Sequence, residues 1–160
     1  MMRDRATKVI ETTRRIIERF REYDEKLHYP GEWGERAFRA WLAFEVFHLC
    51  LGWPISHIIF GEKFDVLFVD DRILPVIYLE TKRPGRGLAE VEEFKERILS
   101  EEYSTLKYGV LTDGYEWLKY DAIRHDEHIV SFDHPPRIWT NFIKGLEARN
   151  YLSLGRRVIS

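Results

Sequence analysis

Residues 64–85 read FDVLFVDDRILPVIYLETKRPG, and the fold depends on what this stretch becomes. Residues 64–69 and 73–80 are short runs rich in Val, Ile, Phe and Tyr, which predicts two β-strands. Between them Val69-Asp70-Asp71-Arg72 makes a turn, so the pair is expected to be antiparallel. Pro75 lies near the start of the second strand, where a missing N–H is tolerated. Side chains alternate along a strand. Val76, Tyr78, Glu80 and Lys82 are therefore expected on one face, and Ile77, Leu79 and Thr81 on the other. An apolar strand that ends in Glu-Thr-Lys needs a physical reason, because buried charge is costly unless paired or bound to a metal. Asp65 precedes Glu80 by fifteen residues, and a bulge or bend near Pro75 would bring the two carboxylates to the same sheet end.

Working outward, residues 4–27 have helical spacing, with Ile10, Thr13, Ile17, Phe20 and Leu27 near one stripe. That stripe suits either the core or a dimer seam. Tyr29-Pro30-Gly31 breaks the helix, and a second, largely buried helix is expected over about 33–51 (Ala37, Trp41, Phe44, Phe47) until Gly52-Trp53-Pro54. ISHIIF, residues 55–60, reads as a strand before the hairpin. Helical spacing returns over 88–103, with Leu88, Val91, Phe94 and Ile98 on one side. Two strands follow, YGVLT and EWLKYDA, around an Asp113-Gly114 turn, and HIVSF adds another. Pro135-Pro136 opens a last helix over 137–149. The fold class is α/β: one mixed sheet flanked by helices in a single domain, residues 1–160. Its core spans about 33–132, with an N-terminal helix in 1–29 and a C-terminal helical extension in 135–160.

The bulk properties narrow the function. A net charge of −2 gives no global basic field, so contact with nucleic acid requires a local patch. A lone cysteine, Cys50, cannot form an internal disulfide and reads as a buried filler in a reducing compartment. No run approaches the ~20 apolar residues of a membrane span, and the charged start MMRDRATK lacks a signal core, so a cytoplasmic protein is expected. The chain has no glutamine, two asparagines and abundant Glu, Arg and Lys, the direction of thermophile usage. His125 and His128 have ligand-like spacing but lie in a polar loop without cysteine, which disfavours a zinc site. Trp117 reads as core, and there is no phosphate-binding Gly-rich loop of the ATPase type.

Two carboxylates at one sheet end repel each other, and a divalent cation removes the conflict. Hard oxygen ligands suit Mg²⁺. A lysine beside them can offset charge that develops on phosphorus. Asp65, Glu80 and Lys82 thus form a set equipped for metal-dependent phosphodiester hydrolysis. This D-x14-E-x-K pattern resembles the signature of the PD-(D/E)xK nuclease superfamily. Three blocks are similar to the nuclease domain of type I restriction endonuclease subunits and their small stand-alone relatives: GERAFRAWL…LGW, FDVLFV…VIYLETKRPG and YGVLTDGYEWLKYD.

The resemblance implies a restriction-endonuclease-like core, α-β-β-β-α-β. It implies Mg²⁺ (with Mn²⁺ able to substitute) bound by Asp65 and Glu80, assisted by the Thr81 carbonyl, and Lys82 as the catalytic lysine. Glu35 matches the helix acid that such nucleases place near the metal. Glu35 and Arg39 read equally well as an ordinary i,i+4 pair. Arg39, Arg83, Arg86 and Lys107 are candidate contacts to the DNA backbone, the alternative being solvated or packing positions. The chain departs from many relatives in lacking a glutamine in the helix after the lysine. The expected activity is a Mg²⁺-dependent deoxyribonuclease acting on DNA, in a restriction-modification setting, as a homodimer or within a larger restriction or defence complex. The alternatives are a Holliday-junction resolvase and a catalytically silent DNA-binding or assembly module.

Overall fold

The structure, a computed structural model, describes residues 4–28, 31–62 and 64–153. Helix α1 runs over Arg5–Leu27, with the Asp4 side chain accepting the Ala6 N–H at 3.0 Å as its N-cap. Helix α2 covers Gly31–Trp41 and continues without a break as a π-helix over Leu42–Cys50. The strands are β1 (Ile58–Phe60), β2 (Val66–Val69), β3 (Pro75–Thr81), β4 (Tyr108–Thr112), β5 (Glu116–Asp121) and β6 (Glu127–Ser131). Helix α3, Val91–Ile98, links β3 to β4, and α4 is Pro136–Ile143.

The six strands form one sheet in sequence order, antiparallel everywhere except the parallel pair β3–β4. The α3 crossover explains that exception, since parallel neighbours need a long connection. This is the α/β, restriction-endonuclease-like arrangement: a mixed sheet flanked by helices, with an added helix at each end. Alternation along the strands feeds two cores. Val66, Phe68, Ile77, Leu79, Val110 and Trp117 face a core with α1, the π-helix and α4. Leu67, Tyr78, Leu111, Leu118 and Tyr120 face a smaller core with Phe94 and Ile98 of α3. Of the expected α1 stripe, Ile10 and Phe20 lie in the first core with Val9 and Ile16, Thr13 and Ile17 are buried, and Leu27 is exposed, so the stripe is a packing face of the domain that ends before Leu27. Trp117 is core, as expected, and its indole N–H donates to the Gly114 carbonyl at 3.3 Å.

Several details differ from the sequence reading. Val76 does not share the Tyr78 face. It joins Ile77 in the first core because the β2–β3 register shifts between Phe68 and Val69. ISHIIF is a strand only at its end, because Ile55–His57 forms one 3₁₀ turn after Pro54. The helix expected over 88–103 is confined to Val91–Ile98, with a separate 3₁₀ turn at Glu101–Tyr103. The last helix stops at Ile143, where Lys144 is extended and Gly145 adopts φ +87°. Phe44 is exposed, not buried. Cys50 is half-buried rather than a core filler, its thiol donating to the Glu45 carbonyl at 3.4 Å. Among the described residues no helix is long and apolar enough to cross a membrane.

Candidate active site

The register shift builds the site. Val69 pairs with Pro75, but Phe68 pairs with Ile77, so Val76 is the extra residue of a β-bulge. From there Val66 lies opposite Leu79. One residue further along the same register, Asp65 comes opposite Glu80. Without the bulge its partner would be Leu79. The ladder ends here, and the Asp65 carboxylate closes it. Its Oδ2 accepts the Thr81 N–H at 2.8 Å and lies 3.5 Å from the Thr81 hydroxyl.

Arg39 reaches this sheet end from α2. Its Nη2 lies 3.2 Å from Asp65 Oδ1, and its Nε donates to Thr81 Oγ1 at 3.4 Å. Glu35, one turn earlier, is close enough to Asp65, Arg39, Lys82 and Arg86 to feel their charges. Partial burial and the Asp65 charge push its carboxyl above the usual range, against the pull of the three cations. Glu35, Arg36, Arg39, Phe60, Glu62 and Asp65 line an open cleft of about 650 Å³.

Glu80 points to the α3 side and is only 5% exposed. Its Oε1 accepts from the Tyr78 hydroxyl at 3.3 Å and is paired with Arg97 of α3. Its Oε2 lies 3.4 Å from Lys82 Nζ, which also lies 3.2 Å from Glu90 Oε2. Lys82 is 8% exposed, and its backbone N–H donates to Thr112 of β4 at 2.8 Å. Burial raises the Glu80 carboxyl, opposed first by Arg97 and then by Lys82. The Tyr78 hydroxyl is raised as well, by burial and by the Glu80 charge.

Asp65 with Arg39 and Glu80 with Lys82 therefore lie at one sheet end, Glu35 within reach of their charges and Arg86 exposed nearby. Arg83 turns away: it pairs with Asp24 at 2.6 Å and lies over the Phe20 ring, both in α1. Lys107 is exposed at the opposite end of the sheet, where its N–H bonds the Val76 carbonyl. Because β3 and β4 run parallel, the start of β4 lies beside the start of β3 and the site beside their ends.

No protein-family model matches the chain. No curated protein matches it. Among solved structures, a similar chain is a fragment described as an HsdR subunit of a type I restriction enzyme from Vibrio vulnificus YJ016. The TM-score is 0.43 and the identity 17%, over 69% of this chain and 25% of that one, so this chain spans about a quarter of that structure.

The sequence reading missed three partners of the site: Arg97, Glu90 and Asp113. Arg97 lies three residues after buried Phe94, so its place on the flank of the apolar stripe was readable, though not its target. Asp113 does more than make a hairpin turn. It is 2% exposed, takes the N–H groups of Tyr115 and Glu116, and takes that of Gly87 at 2.8 Å, tying the loop after Lys82 to the β4–β5 turn. His125 stacks on Tyr120 and His128 lies against Phe142, two separate aromatic contacts.

The donor chemistry suits a hard cation, since Mg²⁺ is held by one or two carboxylates and keeps several waters. Among the described residues no three or more His, Cys, Asp or Glu side chains converge on one point. Instead, Asp65 and Glu80 are matched by Arg39, Lys82 and Arg97.

Proposed function

We propose that this chain is a metal-dependent endonuclease that hydrolyses phosphodiester bonds of DNA, with Asp65, Glu80 and Lys82 as its working groups. The observation that carries the reading is the bulge, which sets Asp65 opposite the Glu80-Thr81-Lys82 strand end beside an open cleft. Asp65 and Glu80, with the Thr81 carbonyl and Glu35, would hold Mg²⁺, which when bound supplies an activated water at neutral pH and neutralises phosphoryl charge. Lys82 is held between Glu80 and Glu90, so its ammonium is fixed before substrate arrives. A fixed donor is worth more against developing charge than one that must reorganise. Lys82 would donate to the attacked phosphate and orient the water. Arg39, at the wall of the cleft, would position the DNA backbone by its fork of N–H donors. Burial of Glu80 against Tyr78 and α3 keeps bulk water from that side of the site.

The test is cleavage of supercoiled, linear duplex and single-stranded DNA with Mg²⁺, Mn²⁺ or EDTA, using the wild type, Glu80→Ala and Lys82→Ala. Metal-dependent cutting that both substitutions abolish is expected. Absence of cutting by the wild type, or equal cutting by the variants, refutes the reading. One observation favours a second reading, a DNA-binding or assembly module that does not cut: both carboxylates already have cationic partners within the chain. It requires DNA retention that EDTA does not change.

A further inference from the structure

Among the described residues, Arg97 is the one close partner of Glu80 that comes from outside strand β3 and the residue after it. It projects from the last turn of α3 and takes Glu80 Oε1, while the same nitrogen lies 3.2 Å from the Tyr78 hydroxyl, which itself lies 3.3 Å from Glu80 Oε1. Arginine, tyrosine and carboxylate form a closed triangle on a carboxylate that is 5% exposed. The Arg97 side chain is 40% exposed, so its outer side meets solvent. That side is not neutral ground. Glu93, Glu96 and Glu102 line a shallow cleft of about 410 Å³ together with Arg97. Glu93 stands four residues before Arg97 on the same helix, the favourable order for an acid–base pair.

Glu80 thus lies on the inner side of a single guanidinium, and Glu93, Glu96 and Glu102 line the cleft on its outer side. A guanidinium and a divalent cation cannot occupy the same oxygen of Glu80. We propose that Arg97 is the resting counter-ion of Glu80 and competes with the metal for it, so that metal loading requires Arg97 to swing to the acidic outer face of α3. Arg97 is then a positioning residue that sets metal affinity, and the outer glutamates set how readily it leaves. The inference rests on the reading of Glu80 as a metal ligand.

The experiment measures Mn²⁺ binding to the full chain without DNA, by calorimetry and by the electron paramagnetic resonance signal of free Mn²⁺. The proteins are the wild type, Arg97→Gln, Arg97→Lys and Glu80→Gln. Arg97→Gln removes a charge-assisted hydrogen bond from Glu80 and is expected to tighten Mn²⁺ binding by about tenfold or more. Arg97→Lys keeps the charge but loses the planar guanidinium whose one nitrogen meets both Tyr78 and Glu80, so it tightens binding in the same direction and by less. It carries the test if Arg97→Gln does not fold. Affinity unchanged or weakened in the Arg97 variants, with binding lost in Glu80→Gln, overturns the inference and leaves Glu80 as a ligand. Binding that Glu80→Gln does not alter, or no binding to any of the proteins, overturns the site reading itself, and the inference with it.

Discussion

Gly109, the second residue of β4, sets how closely α3 lies on the sheet. A β-carbon at this position would stand 2.4 Å from Ile98 Cδ1, 2.6 Å from Ile98 Cγ1 and 2.8 Å from Phe94 Cζ. Ordinary contact begins near 3.4 Å, so Gly109→Ala requires α3 and β4 to separate by about 1 Å or the Ile98 and Phe94 side chains to leave their rotamers. Both side chains are buried, Phe94 completely, which leaves little room for a cheap adjustment. Overpacking of this kind costs about 1–3 kcal/mol. The sign alone is informative, since an unobstructed glycine-to-alanine change in a strand gains roughly 0.5–1 kcal/mol. At about 2–4 °C per kcal/mol for a chain of this size, the melting midpoint should fall by roughly 2–12 °C. Ile98→Ala removes two of the three obstructing atoms. The double variant should be more stable than the sum of the two single changes by about 0.5–3 kcal/mol, with Phe94 limiting the rescue. The assay is urea unfolding followed by tryptophan fluorescence on all four proteins. A Gly109→Ala variant as stable as the wild type, or a double variant additive within about 0.5 kcal/mol, refutes the account of α3 placement. The same displacement should loosen Arg97 from Glu80, because both depend on where α3 sits.

Further outcomes are expected elsewhere. Asp65→Ala leaves the Thr81 N–H and Arg39 without their acceptor and should cost about 1–3 kcal/mol in urea unfolding, a loss that Asp65→Asn partly avoids. Trp53→Phe removes the indole donor to the Leu146 carbonyl, a buried bond of 2.8 Å, and should lower stability by about 1–3 kcal/mol, read by thermal unfolding with circular dichroism. Burial, and then the nearby Lys119 and His134, lower the His128 imidazole below its ordinary 6.5. The unfolded chain therefore binds this proton more readily than the native one. The His128 contribution is fully present above about pH 6.5 and is lost as pH falls through the lowered native value, so His128→Gln should flatten the pH dependence of stability in that acid window, measured by melting midpoints from pH 4 to 8. Lys119→Met removes donors to the Phe142 and Lys144 carbonyls at 2.6 and 2.9 Å and should destabilise the end of α4 by about 1–3 kcal/mol, seen as faster amide exchange there.

The hairpin of β2 and β3, the Asp113-Gly114 turn and the α1 stripe were legible because each rests on local period and turn chemistry. The bulge was anticipated near Pro75, but its consequence for Val76 was not, since alternation assumes an unbroken register. Helix ends were harder. The stretch Leu42–Cys50 is almost wholly apolar, so no periodicity separates an α-helix from the π-helix observed. The charged triplet Glu80-Thr81-Lys82 and its facing Asp65 could be named from spacing, because they lie on one hairpin. Arg97 could not. Its meeting with Glu80 depends on the rotation of α3 against the sheet, which Ile98, Phe94 and the bare backbone of Gly109 determine together. Lys107 was named as a candidate contact to the DNA backbone. Parallel pairing puts it at the other end, a fact of topology that no local pattern contains.

The two halves of the site answer to different layers of the fold. Asp65 is neutralised by Arg39, which arrives from α2 on one face of the sheet, and Glu80 by Arg97, which arrives from α3 on the other. Lys82 stands between Glu80 and Glu90 at the end of β3. A sheet end carrying Asp65 and Glu80 would repel itself if left bare, so cations from both layers make the fold compatible with the site at rest. The Arg39 bond is tied to Thr81 as well and closes the ladder, so loosening it unsettles the strand end. The Arg97 bond lies at an exposed helix face, on a cleft that Glu93, Glu96 and Glu102 also line. Of the two arginines, Arg97 is therefore the freer to leave its carboxylate, its side chain 40% exposed against 18% for Arg39, which is what the proposed exchange at Glu80 requires.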